Sequence, residues 1–217
     1  MTTESRRLLS DVRALTGRVR RDQRLTWAAL LILTAVTFAA IPVDYVGMTV
    51  DCTGEVCAFD RIGVLYYWPV ALLLAYAAIA LSYHRAARRR GLGTRVMPYA
   101  ITGAVLTVLF VAAWATVRIY FDSHPPVSFP WWVMVADRLV APAGTIGVAL
   151  LVLARLERNV ALLVFTLGYL AVVLVPIDFG WQEHGSVRAE FVPQQVINGV
   201  VLALGAAGFA LSDRKRS

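Results

Sequence analysis

Three charged residues stand inside otherwise apolar stretches of this chain: Arg118, Asp137 and Arg138. At the centre of a membrane helix such a group costs about 2.5–3.5 kcal/mol on insertion scales, so it is retained where it pairs or acts. Consecutive residues on a helix point about 100° apart, which keeps Asp137 and Arg138 from neutralising each other on one face. Arg118 lies near the end of one apolar stretch and Asp137 in the first half of the next, so an ion pair can join them across two antiparallel helices. Pro142, four residues beyond Arg138, withholds the amide that would bond the Arg138 carbonyl. A charged pair beside an interrupted helix can expose polar backbone to an intramembrane cavity. The plainer reading is an ion pair and a kink that set helix packing, with Arg138 reaching outward.

A second set of reactive groups lies between Ile177 and Gly185, where Asp178, Glu183 and His184 accompany Trp181. With Asp122 and His124 from an earlier loop, these types could hold a metal or transfer protons. No H-x-x-x-H or H-E-x-x-H spacing orders them, so no metal or other cofactor is expected and they read as solvated loop residues. In a catalytic reading, Asp137, Asp178, Glu183 or His184 is the proton donor. Asp178-Phe179-Gly180 lacks the phosphate and catalytic loops of a kinase. Cys52 and Cys57 are spaced C-x4-C, which suits a disulfide closing a small turn at Thr53-Gly54, worth about 2 kcal/mol. A redox dithiol would favour the tighter C-x-x-C spacing.

What must position these groups is a set of membrane helices. The 217 residues are 59% hydrophobic and only 16% charged, with a mean hydropathy of +0.65, well away from a soluble domain. A crossing takes about 20 apolar residues, and six stretches qualify: Leu25 to Val43, Val64 to Tyr83, Pro98 to Phe121, Trp131 to Leu153, Val160 to Ile177 and Gln195 to Leu211. Their continuous runs predict an all-α, polytopic protein rather than a barrel of alternating strands. Pro42, Pro69, Pro98 and Pro193 fall near predicted ends, and the aromatic clusters Tyr66-Tyr67-Trp68, Trp131-Trp132 and Trp181 suit an interfacial belt. Small residues at Gly199, Ala203, Gly205 and Gly208 would let the last helix approach a neighbour, with Asn198 bonding across the contact. The run ending Phe38-Ala39-Ala40 is expected to be an uncleaved first helix, because the leader is long for a secretory signal.

Basic residues fix the orientation. Arg6, Arg7, Arg13, Arg18, Arg20, Arg21 and Arg24 precede the first crossing. Arg85, Arg88, Arg89, Arg90 and Arg95 follow the second, Arg155 and Arg158 the fourth, and Arg214, Lys215 and Arg216 the sixth. With six crossings all lie on one side, so both termini are expected in the cytoplasm. The net charge of +7 therefore reports topology, and no nucleic acid partner is implied. Residues 1–24 place Leu8, Val12, Leu15 and Val19 at helical spacing among seven arginines, a basic amphipathic segment drawn to anionic lipid at the cytoplasmic face; residues 213–217 form a basic tail, and 25–212 the helical domain. The only lysine, Lys215, lies outside every crossing, which excludes a retinal-type Schiff base. Absent motifs exclude a P-loop engine and a nucleophile-elbow hydrolase.

The stretches Gly63-Val-Leu-Tyr-Tyr-Trp-Pro, Gly93-Thr-Arg-Val-Met-Pro-Tyr and Ala171-Val-Val-Leu-Val-Pro-Ile-Asp-Phe-Gly-Trp resemble those of small multi-pass integral membrane proteins of uncharacterised function from high-GC Gram-positive bacteria. That resemblance implies a bacterial plasma membrane and brings no catalytic assignment. The expected function is a non-catalytic, transport-related or accessory subunit with an outward-facing cavity, bound to a membrane-protein partner or to a second copy. The competing expectation is a membrane-embedded enzyme acting on a lipid or isoprenoid by carboxylate acid–base chemistry. If the Arg118–Asp137 pair organises the bundle, Asp137→Asn and Arg118→Ala each lower the extracted yield or the co-purification of a partner. Parental behaviour of both variants would remove the basis for the pair.

Overall fold

The computed structural model describes residues 26–53, 56–60, 62–89, 97–123, 135, 138–175 and 192–215. Helices carry the fold: α1 (Thr26–Gly47), α2 (Ile62–Arg89), α3 (Met97–Ser123), α4 (Pro142–Glu157), α5 (Val160–Leu174) and α6 (Val192–Arg214). Between α1 and α2 lies a hairpin of β1 (Thr49–Thr53) and β2 (Val56–Asp60), whose antiparallel register sets Cys52 opposite Cys57.

Among the described residues, three segments are long and apolar enough to cross a membrane: Thr26–Gly47, Tyr66–Arg85 and Val192–Arg214. At about 1.5 Å per residue they exceed or match the roughly 30 Å of bilayer hydrocarbon. The outside of the bundle agrees with that solvent. Leu74, Val108 and Leu204 are each about two-thirds exposed, and large apolar side chains stand outward along α1, α2, α3, α5 and α6, an arrangement that water would penalise at about 25 cal/mol per Å².

The helix α1 is the centre, with α2 on one side and α6 on the other. Its buried residues are Thr26, Ala29, Leu30, Leu33, Thr37, Ala40 and Asp44, an unbroken run of three- and four-residue steps that forms one face. On α6 the corresponding stripe is Asn198, Gly199, Leu202, Gly205 and Ala206. Leu30, Leu33, Leu72, Ile146, Leu150, Leu162 and Leu202 lie at the bottom of the core. Glycine sets the spacing. A methyl group added at Gly199 would sit 2.8 Å from the Phe38 ring, and one at Gly205 would strike the Phe165 ring, whereas Gly208 faces open space. Gly199 and Gly205 thus make the close contacts that the small-residue stripe predicts; Gly208 makes none.

The helices alternate in direction. Thr26, Tyr83 and Glu157 meet at one end, and Asp44 and Gln195 meet at the other. At that second end the Gly47 and Gly63 backbones abut too closely for a side chain on either.

Of the two readings of the fourth apolar stretch, 131–153, an interruption and a kink, the interruption is what forms: Ala141 leaves helical geometry at φ −52° and ψ 152°, and α4 begins on Pro142. Proline is accommodated there because a first-turn position has no helical acceptor to lose. Helical residues 138–140 precede the break, and Thr145 satisfies the freed carbonyls, its amide donating to Ala141 O at 2.9 Å and its hydroxyl reaching Val140 O and Ala141 O. The Tyr66-Tyr67-Trp68 cluster is also only partly interfacial. Tyr66 is exposed, Tyr67 donates its hydroxyl to Val36 O at 2.7 Å, and Trp68 is buried in the core, because three successive helical positions cannot share one face.

Gly199→Leu is expected to destabilise the protein by about 1–3 kcal/mol through overpacking against Phe38, whereas Gly208→Leu leaves stability unchanged. Thermal unfolding of both variants in detergent makes the comparison, and equal losses would contradict the packing described.

Candidate functional site

Most hydroxyls in the helices are satisfied within their own turn. Thr34, Thr37, Ser82, Thr107, Thr116 and Thr166 each donate to the carbonyl four residues earlier, the usual way a hydroxyl is accommodated on an apolar helix. Among the described residues, other polar side chains bond between helices, and two carboxylates accept several of those bonds.

Glu157, the last residue of α4, joins three helices. Its Oε2 accepts from the Thr26 hydroxyl at 2.9 Å, and its Oε1 accepts from the Tyr83 hydroxyl. Thr26 is buried, Glu157 and Tyr83 are half-buried, and His84 lies beside Tyr83 in the chain. Both donors are neutral, and the carboxylate stands next to the first turn of α1, whose free amides carry positive partial charge. The chain leaves Glu157 through Arg158, the one non-glycine residue with positive φ among those described, at 49°. Asn159 then caps α5 by accepting from the Leu162 amide.

Asp44 is the counterpart at the far end. It is only 4% exposed and accepts from Gln195 Nε2 at 2.7 Å, so the packed stripes of α1 and α6 end in a polar clasp. One step along α6, Gln194 donates to Asn198 at 3.4 Å. The side-chain oxygen of Gln195, Oε1, is buried without a partner, as is the Tyr76 hydroxyl.

Arg138 finds its acceptor on the backbone of α5. Its guanidinium donates to Leu174 O at 2.6 Å, one of the carbonyls freed at the end of α5, where a cation also meets the negative end of the helix dipole. Tyr169, almost fully buried, donates to Ala143 O at 3.2 Å. Arg138 and Tyr169 therefore bind α5 to the Pro142 break from opposite helices.

Asp137, Asp178, Glu183, His184, His124 and Trp181 lie outside the described residues, as does the rest of 177–185. Arg118 and Asp122 lie in α3, with side chains outside the description. Cys52 and Cys57 are opposed in backbone register, their side chains likewise not described. Among the described residues no three His, Cys, Asp or Glu side chains gather as a metal site.

Residue order places Asp44 just beyond the first apolar stretch, which ends at Val43, and Glu157 between Arg155 and Arg158. A signal for Asp44 was present, since it extends the 26–29–30–33–37–40 stripe by one more helical step. Glu157 had none, because its partners are 74 and 131 residues away.

Comparison with known protein families, curated proteins and solved structures finds no match to this chain.

Removing the acceptor by Glu157→Ala strands two hydroxyls and is expected to cost about 1.5–3 kcal/mol, the range for hydrogen bonds to a charged group. Glu157→Gln keeps an oxygen acceptor and should cost less. A double-mutant cycle with Thr26→Val in thermal unfolding measures the link; strictly additive losses would mean the two side chains are not coupled.

Proposed function

We propose that this is an integral membrane protein of six crossings that acts without catalysis, as a transport-related or accessory subunit whose working contact is another membrane protein or a second copy of itself. The observation that carries the reading is the use made of Glu157 and Asp44. Each carboxylate accepts hydrogen bonds from other helices, so each serves as a clamp between helices.

Six crossings are supported by the alternating direction of the helices; α4 and α5, with 16 and 15 residues, are each short of a full crossing by roughly one turn. The basic residues at the Thr26 end support cytoplasmic termini, and the same end offers anionic lipid a contact. A bacterial plasma membrane follows from the sequence resemblance. Directly opposed cysteines in an antiparallel hairpin have a Cα separation that suits a disulfide, which supports an oxidised Cys52–Cys57 bond on the outer side.

Two experiments test this. In intact cells, a membrane-impermeant thiol reagent should label Cys52 and Cys57 only after an impermeant reductant has been added. Labelling without reduction would disprove the disulfide, and labelling only after permeabilisation would reverse the topology. For function, crosslinking in native membranes followed by purification should recover a second integral membrane protein, or a second copy, at constant ratio. A chain recovered alone that converts a glycerolipid or polyprenyl substrate would overturn the reading in favour of the membrane-embedded enzyme.

A further inference from the structure

Arg138 is half-buried where the chain enters the Ala141-Pro142 break, and its contact with Leu174 O leaves most of its guanidinium unused. The group carries five N–H donors on three nitrogens. Nη1 serves Leu174 O at 2.6 Å, and among the described residues no other acceptor meets Arg138. Nε and Nη2 are not sealed inside the protein either, because the buried unpartnered atoms of the described residues belong to Tyr76 and Gln195. One edge of the guanidinium, with two parallel N–H groups, is therefore open to the surroundings of the bundle.

The depth of that edge decides what can answer it. Glu157 bonds to Thr26 and Asn159 caps α5, so α5 starts at the Thr26 end of the bundle. Its 15 residues rise about 22 Å to Leu174, which stops about 8 Å short of a hydrocarbon thickness of roughly 30 Å. A charge within that layer is retained where it is paired. Leu174 O and the α5 dipole bring only partial negative charge, and among the described residues no carboxylate supplies the rest.

We propose that the Nε–Nη2 edge of Arg138 is a binding site for a phosphate group. Two parallel N–H donors match two oxygens of one oxyanion, the paired geometry in which arginine holds phosphate and lysine does not. Bonding Nη1 to Leu174 O turns this edge away from the backbone and fixes its direction in advance. The Tyr169 bond to Ala143 O holds α4 and α5 together beside it, so little order has to be created on binding. A phospholipid headgroup and inorganic phosphate both present the required pair of oxygens. The site depends on the guanidinium and its depth, and not on which partner the protein has.

The test uses the full chain, stripped of lipid in mild detergent, alongside Arg138→Gln and Arg138→Lys. Lysine keeps the charge and a donor for Leu174 O but has no paired edge, so it separates phosphate binding from the structural bond. In one arm native mass spectrometry counts retained phosphatidylglycerol. The parent should keep one molecule more than either variant, with affinity at that site roughly tenfold lower in Arg138→Lys. In the other arm inorganic phosphate is compared with chloride at equal ionic strength for its effect on the melting temperature. A rise confined to the parent identifies a soluble phosphate as the ligand; a lipid difference without that rise identifies a headgroup. A parent that responds in neither arm, or a folded Arg138→Lys protein that matches the parent in both, would overturn the proposal.

Discussion

Hydrocarbon offers no hydrogen bonds, so every polar group within a membrane bundle must be answered by another part of the protein. That constraint organises this molecule at two ranges. Hydroxyls along the helices are answered locally by the carbonyl one turn back, which leaves the helix surfaces effectively apolar. The groups that cannot be answered locally are long or charged, and they reach across to other helices. Glu157 therefore draws in Thr26 and Tyr83, Asp44 draws in Gln195, and Arg138 draws in the end of α5.

Packing between these polar ends follows from the same condition. Lipid chains are as apolar as leucine, so helices gain little from hiding apolar surface from them and associate through close fit and interhelical hydrogen bonds instead. Hence the glycines at 199 and 205, each receiving an aromatic ring, and the direct abutment of Gly47 on Gly63. The helix α1 carries the longest such face, and its two ends are the two carboxylate clasps.

The break at Ala141-Pro142 shows how an interruption is tolerated. A proline within a continuous helix would leave a carbonyl unbonded, and in lipid that is costly. Starting α4 on Pro142 avoids the loss. Thr145, Tyr169 and Arg138 supply donors to the carbonyls around it and at the facing end of α5. The three side chains come from three places in the chain, so the break is also a junction that ties α4 and α5 together.

Much of this was legible from residue order. Apolar runs of crossing length, basic residues that recur at every second loop, and glycines one or two turns apart on α6 are local or periodic properties, and they dictate helices and their membrane environment through hydrophobic transfer and helical geometry alone. Even the burial of Asp44 was implied by the spacing of the α1 stripe. The partners were not legible. Glu157 looks like any acid among arginines, and nothing in the residues around Arg138 points to its acceptor, a backbone carbonyl 36 residues away. Hydrogen-bond partners depend on which helix ends come within about 3 Å of each other. Helix-to-helix placement is set by the sum of many weak packing contacts spread over the whole chain, so only the assembled structure could determine which donor meets which acceptor.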